Sequence, residues 1–178
     1  MWSQLDQQIF NSLYQFPSFF FIKAFFYLFS LIGDGGFIWI ILGTFYYLKK
    51  KNWGKWFEFI STLASLSILV ILILKPFFQR PRPLTGYNPS LSGDEFSFPS
   101  GHAASSWAMA WFLARDWPAK RYWFYLLALL ITYSRLYLGK HYPADLLAGT
   151  LLGIAWTVFL RYCFFKLHHY WKKRNPSP

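Results

Sequence analysis

The chain has 178 residues, of which 55% are hydrophobic and 24% aromatic while only 14% are charged, a balance that excludes an ordinary water-soluble domain and makes a membrane protein the default. Its net charge of +11 would suit a nucleic-acid or anionic-lipid partner, and the single cysteine, Cys163, excludes an internal disulfide. Apolar segments run from end to end without a linker, so one domain, 1–178, is expected.

Met1 to Gln15 lacks the basic-then-apolar order of a cleavable signal, and retention of this segment is expected. Leu5, Ile9, Phe10, Leu13 and Tyr14 recur at spacings of three and four, which predicts an amphipathic helix lying at the membrane interface. Six apolar windows follow: Phe16 to Ile32, Phe37 to Leu48, Trp56 to Leu74, Pro99 to Ala114, Tyr122 to Leu138 and Pro143 to Phe165. A span needs about 20 mostly apolar residues, and the shorter windows draw on interfacial Trp and Tyr to complete themselves. These are continuous apolar runs rather than alternating ones, so the expected fold class is all-α: six transmembrane helices in one bundle, with the N-terminal interfacial helix.

Lys49, Lys50, Lys51 and Lys55 fall between windows two and three, Arg115, Lys120 and Arg121 between four and five, and Lys166, Lys172, Lys173 and Arg174 after six. All three connections share one side, which the positive-inside rule makes cytoplasmic, with cytoplasmic N- and C-termini. Topology and anionic lipids at that face then account for most of the net charge, and no nucleic-acid partner is needed. The other side carries the Gly33-Asp34-Gly35-Gly36 turn, the Lys75 to Phe98 connection and the Gly139 to Tyr142 turn.

Lys75, Arg80, Arg82, Arg135 and Lys140 oppose that bias, because they fall on or near the outer side. They lie in "KPFFQRPRP", in "SRLYLGKHYPAD" and, with the polar "PSGH", at one level of the membrane, so that Lys75, Arg82, Ser100, His102, Arg135, His141 and Asp145 converge. Ionisable groups at the ends of spans are costly to bury, and a cluster of them marks a site. Cations without matching carboxylates suit a multiply charged anion, and the arginine fork fits phosphate. Ser100 is placed to cap a helix whose first N–H groups bind anions, and Gly101 lets backbone approach the ligand. His141 precedes Pro143 at a helix start, and Asp145 one turn on can fix its tautomer, leaving one ring nitrogen to attack. The two histidines thus supply a nucleophile and a proton donor. A metal held by His102, His141 and Asp145 is opposed by the three flanking cations, and no cofactor is called for. His168 and His169 read as solvated interfacial residues on the tail.

With these residues in place, the chain resembles the type 2 phosphatidic acid phosphatase family. Lys75, Arg82 and Pro83 match its lysine, six residues, Arg-Pro; Pro99 to His102 match its Pro-Ser-Gly-His; Ser134, Arg135, His141 and Asp145 match its third motif. The resemblance implies a metal-independent phosphatase in which His141 becomes phosphorylated, His102 protonates the leaving oxygen, and Lys75, Arg82, Ser100, Gly101 and Arg135 hold the phosphoryl oxygens. The expected substrate is a membrane lipid phosphate or pyrophosphate at the periplasmic face of a bacterial inner membrane, with lipid A 1-phosphate or undecaprenyl pyrophosphate favoured over phosphatidylglycerol phosphate and phosphatidic acid. Three other readings are a lipid phosphotransferase using the same phosphohistidine, a silent scaffold or transporter, and a vanadate-dependent haloperoxidase, which the apolar spans disfavour. Asp94 and Glu95 read first as a solvated loop pair and second as bordering the entrance, where with Arg80 they would discriminate headgroups; Arg80 and Lys140 read equally as cations snorkelling to the interface, and Lys140 has no assigned role.

Overall fold

The structure, a computed structural model, describes residues 4–14, 19–83 and 95–174. Among them it is helical apart from turns and one isolated bridge between Pro81 and Phe96. In chain order the helices are α1 (Gln4–Tyr14), α2 (Phe20–Ile32), α3 (Phe37–Lys49), α4 (Trp53–Ile68), α5 (Lys75–Phe78), α6 (Gly101–Asp116), α7 (Arg121–Tyr137) and α8 (Pro143–Arg174). The Asn52 side chain caps α4 by accepting from Lys55 N. A π-helical stretch, Leu69–Leu74, joins α4 to α5 without a break, so one helical rod runs from Trp53 to Phe78. Such a change of winding rotates everything beyond it, and Lys75 is the first residue beyond it.

Helix α6 is the centre of the bundle. Its small residues Ala103, Ala104, Ser105, Ser106, Ala108 and Ala110 are all buried, which lets neighbours come close on several sides. Against it packs α8 through Gly149 and Gly153: a Cβ on Gly153 would stand 2.1 Å from the Ala104 carbonyl oxygen, and one on Gly149 2.5 Å from that of Ser100. Trp39, Phe59, Phe112, Met109 and Ile131 fill the core around α6. Large apolar side chains such as Phe20, Phe21, Leu72, Phe77 and Phe165 face outward, as hydrocarbon-facing surface requires.

By length and composition two helical segments are long and apolar enough to cross a membrane, Trp53–Phe78 and Pro143–Arg174, or three if Phe20–Ile32 and Asp34–Lys49 are one broken span. The expected turn at Gly33–Gly36 is present, but it does not reverse the chain between the first two windows. The chain bends by 51° there and runs on in the same general direction. Phe26 meets Tyr133 and Tyr137 near the end of α7, Gly33 lies beside Ile131 deeper in the same helix, Trp39 bonds Ser106, and Tyr47 reaches Asp116 at the far end of α6. Gly35 (φ 59°) and Gly36 (φ 73°) take the left-handed conformations of the bend. The hairpin expected between the first two of the six windows is replaced by a bent pair, α2 and α3.

A second correction follows for the N-terminus. Helix α1 lies at the same end of the bundle as His141, since the Asp6 carboxylate accepts from Ala144 N at 3.0 Å and Phe10 packs edge-on to Tyr142. Leu5, Ile9, Leu13 and Tyr14 remain exposed, as an interfacial helix would leave them. The polar Asp6, rather than the apolar stripe alone, docks it.

Candidate active site

Three elements deliver the expected residues to one end of α6. Ser100 caps that helix, its Oγ accepting from Ala103 N at 3.4 Å, while its own N–H donates to the Asp145 carbonyl at 3.0 Å and so ties the start of α6 to the start of α8. Lys75 arrives from α5, Arg82 from the segment after it, and Arg135 from the last turn of α7; all are buried. The turn Gly139–Tyr142, with Gly139 at φ 66°, then sets His141 between them.

His141 is held on both sides. The Arg82 guanidinium lies 3.2 Å from its Nε2 and donates to the Lys140 carbonyl at 2.7 Å. Arginine has no acceptor, so Nε2 is the unprotonated nitrogen and Nδ1 bears the hydrogen. Nδ1 faces Asp145 Oδ2 at 3.5 Å, ion-pair reach rather than a close hydrogen bond. Asp145 is itself fully buried, taking hydrogen bonds from Tyr142 N at 2.9 Å and Arg80 Nη1 at 2.6 Å. Burial, reinforced by the charges of Arg82, Arg135 and Lys75, pushes the His141 imidazolium well below the ordinary histidine range. The ring is therefore neutral at physiological pH, the form that has a lone pair to give.

Across a cavity of about 200 Å³ stands His102, whose Nε2 lies 3.1 Å from the Ser30 carbonyl and 2.8 Å from Asp34 Oδ1. Ser30 Oγ also accepts from Arg135, so the last turn of α2 positions two of the expected residues at once. Lys75, Gly101, His102 and His141 line the cavity directly. Arg82, Ser100, Arg135 and Asp145 are buried next to it. Its lower wall is apolar, Leu66, Val70 and Ile71, and Ile71 and Gly35 are exposed on the outside of the bundle. Among the described residues no group of three or more His, Cys, Asp or Glu side chains converges as metal ligands.

Arg80 differs from expectation. It is 3% exposed, bonded to Asp145 and Asp6 and stacked 4.1 Å over the Tyr142 ring, so it serves the interior and not the entrance. A guanidinium forks to two carboxylates more favourably than it spans open water. Glu95 is exposed, and Asp94 lies outside the described residues. Sequence reasoning missed Asp6, Ser30 and Asp34. The signal for Asp6 was present: it is the one charged side chain in Met1 to Gln15. Asp34 was hidden by its glycines, which read as a turn.

The chain is similar to several known proteins. Curated relatives include a lipid A 4'-phosphatase of Bacteroides thetaiotaomicron, 31% identical over 67% of this chain and 61% of its own length, and an undecaprenyl-diphosphatase of Sulfolobus acidocaldarius, 38% identical over 55% and 46%. The match thus spans less than two thirds of each relative. Among solved structures, Aquifex aeolicus LpxE superposes with a TM-score of 0.73 at 27% identity, covering 90% of this chain and 96% of that one. A transmembrane PAP2-type phosphatidylglycerolphosphate phosphatase from Bacillus subtilis shares the fold, with a TM-score of 0.70 at 23% identity over 91% and 85%. The model of the PAP2 superfamily matches residues 55–169, the stretch that holds all three motifs, and the chain belongs to that superfamily.

Proposed function

We propose that this protein is an integral-membrane lipid phosphatase that removes phosphate from a lipid phosphate or pyrophosphate through a phosphohistidine on His141. The observation that carries the reading is the unprotonated Nε2 of His141, buried among Lys75, Arg82 and Arg135 at a cavity shared with His102. Phosphate enters as a polyanion, and the three cations with the N–H groups at the start of α6, Gly101 among them, hold its oxygens. His141 Nε2 attacks phosphorus while Asp145 steadies the ring through Nδ1, and His102 gives a proton to the departing oxygen. Water then attacks the phosphohistidine, with His102 accepting the proton, and phosphate is released. Charge growing on the phosphoryl oxygens meets donors already fixed in place, so the site needs no metal or other cofactor for these steps.

The cavity wall reaches exposed Ile71 and Gly35, and this supports lateral entry of a lipid between α4 and the bend of α2 and α3. The chain crosses the membrane five times in this reading: α2 with α3, α4 with α5, then α6, α7 and α8. Lys49, Lys50, Lys51, Lys120, Arg121 and the basic end of α8 then share the face away from the site, which is cytoplasmic and meets anionic lipid. The site and α1 face the periplasm of a bacterial inner membrane, and only the C-terminus is cytoplasmic. Relatives named lipid A 4'-phosphatase, undecaprenyl-diphosphatase and phosphatidylglycerophosphatase B support a phosphate of lipid A, undecaprenyl pyrophosphate and phosphatidylglycerol phosphate as the candidates.

The test is release of inorganic phosphate by detergent-purified protein from a panel of these lipids and phosphatidic acid, with EDTA present and His141→Ala alongside. Release by the wild type alone is expected. Transfer of the group to an added lipid or sugar alcohol, with no free phosphate, would replace hydrolysis by phosphotransfer. Equal release by His141→Ala would overturn the mechanism.

A further inference from the structure

The proton donor has a carboxylate of its own. His102 Nε2 faces two oxygens, the Ser30 carbonyl at 3.1 Å and Asp34 Oδ1 at 2.8 Å. A carbonyl and an ionised carboxylate only accept, so Nε2 carries the hydrogen and Nδ1 is the nitrogen that takes up and gives away a proton. His141 is held in the opposite sense, with Nδ1 toward Asp145 and Nε2 toward Arg82. The cavity thus stands between two histidine–aspartate pairs that use opposite ring nitrogens.

Asp34 is not a remote partner. It sits in the short turn Asp34–Gly36 between α2 and α3, its side chain is 60% exposed, and it is the one carboxylate lining the cavity among the described residues. Lys75 and His141 line the same space, and the charges of Arg135 from α7 and Lys140 from the following turn also act on it. A carboxylate at the rim of a phosphate site works against anion binding, and nothing in the packing of α2 and α3 requires it, since a Cβ-sized or larger group at this exposed position is free to face water. Its close approach to His102 is what it contributes.

We propose that Asp34 is a positioning residue for His102, holding Nε2–H so that the imidazolium presents its Nδ1 proton to the leaving oxygen. The inference rests on the phosphatase reading. In the step concerned, the bond from His141 Nε2 to phosphorus forms as the bond from phosphorus to the leaving oxygen breaks. That oxygen takes the Nδ1 proton, and the products are phosphohistidine, a neutral alcohol and neutral His102. Asp34 neither gains nor loses a proton. The proton matters in proportion to the basicity of the leaving oxygen: an alkoxide departs poorly without it, a nitrophenolate readily.

That dependence supplies the test. Full-length protein in detergent, wild type and Asp34→Asn, is assayed for kcat/KM on a long-chain alkyl phosphate and on p-nitrophenyl phosphate in mixed micelles. This quantity ends at leaving-group departure, so later hydrolysis of the phosphohistidine does not enter. Asp34→Asn is expected to lower kcat/KM for the alkyl ester about 10- to 100-fold and for the nitrophenyl ester no more than about threefold, with His102→Ala showing the same split at larger size. A merely structural role would lower both alike, and equal loss on the two esters, or no loss on either, overturns the proposal. In both of those outcomes His141→Ala, inactive on both esters, leaves the phosphatase reading standing. A wild type inactive on both overturns that reading and this inference with it.

Discussion

The two ends of the bundle each hold a cluster of charges, and they are built to different rules. At the far end Lys55 and Arg161 meet Glu58 and Asp116: Lys55 bonds Glu58 at 2.6 Å, Arg161 bonds Asp116 at 2.8 Å and lies 3.7 Å from Glu58, and Tyr47 donates to Asp116 at 2.8 Å. Two cations face two carboxylates. At the site end, among the described residues, Lys75, Arg80, Arg82, Arg135 and Lys140 gather with Asp6, Asp34 and Asp145 around a cavity. The balanced cluster ties α3, α4, α6 and α8 together. The other, in the phosphatase reading, takes a phosphate as its further partner. A cavity beside the charges, rather than buried charge as such, is what separates the proposed binding site from a structural bridge here.

Substitutions sharpen that contrast when activity and stability are read together. His141→Ala should abolish phosphate release while the protein remains folded, monodisperse by size exclusion. Asp145→Asn should lower turnover by about 10²- to 10⁴-fold, because the tautomer of His141 is no longer enforced. Truncating one cradle donor, Arg82→Ala, should cost about 3 to 4 kcal/mol of transition-state stabilisation, seen in kcat/KM. At the other end Arg161→Met should do the reverse, losing about 2 to 3 kcal/mol of stability in thermal or denaturant unfolding by leaving Glu58 and Asp116 short of a partner, with kcat/KM within about twofold of wild type. Equal damage to kcat/KM from Arg161→Met would break the comparison. Tyr47→Phe, which removes one hydrogen bond, should cost only about 1 kcal/mol.

The smallest effect is on pH dependence. His141 has its folded-state pKa lowered by burial first and by Arg82, Arg135 and Lys75 next. Below about pH 6.5 the unfolded chain takes up a proton that the native ring refuses, so stability should fall as pH drops from there toward the folded-state value, and be constant above it. Unfolding midpoints of wild type and His141→Ala measured across pH 5 to 8 should diverge in that sense.

Much of the site was legible because its parts are local. His141, Pro143 and Asp145 lie within one turn of helix, Ser100 and Gly101 sit at a helix start, and Lys75 and Arg82 close one apolar run, so spacing and element boundaries were enough to bring them to one level. The remaining partners come from segments whose sequence gives no local clue. Ser30 is an ordinary polar residue in an apolar helix, Asp34 reads as part of a glycine turn, and Arg80 reads as a snorkelling cation until Asp6, 74 residues away, is found beside it.

By itself the sequence determined that this chain is helical and apolar outward, that its surplus cations gather at one level, and that two histidines and an aspartate stand among them; hydropathy and short-range periodicity are local properties. Only the tertiary structure decided that Phe20 to Lys49 is a bent pair of helices rather than a hairpin, that α1 lies at the site end and not opposite it, and that each histidine has its own carboxylate. Two helices and a glycine turn are equally compatible with a hairpin and with a 51° bend. The choice is made by what the helices pack against, and that information resides in α4, α6 and α7, far along the chain.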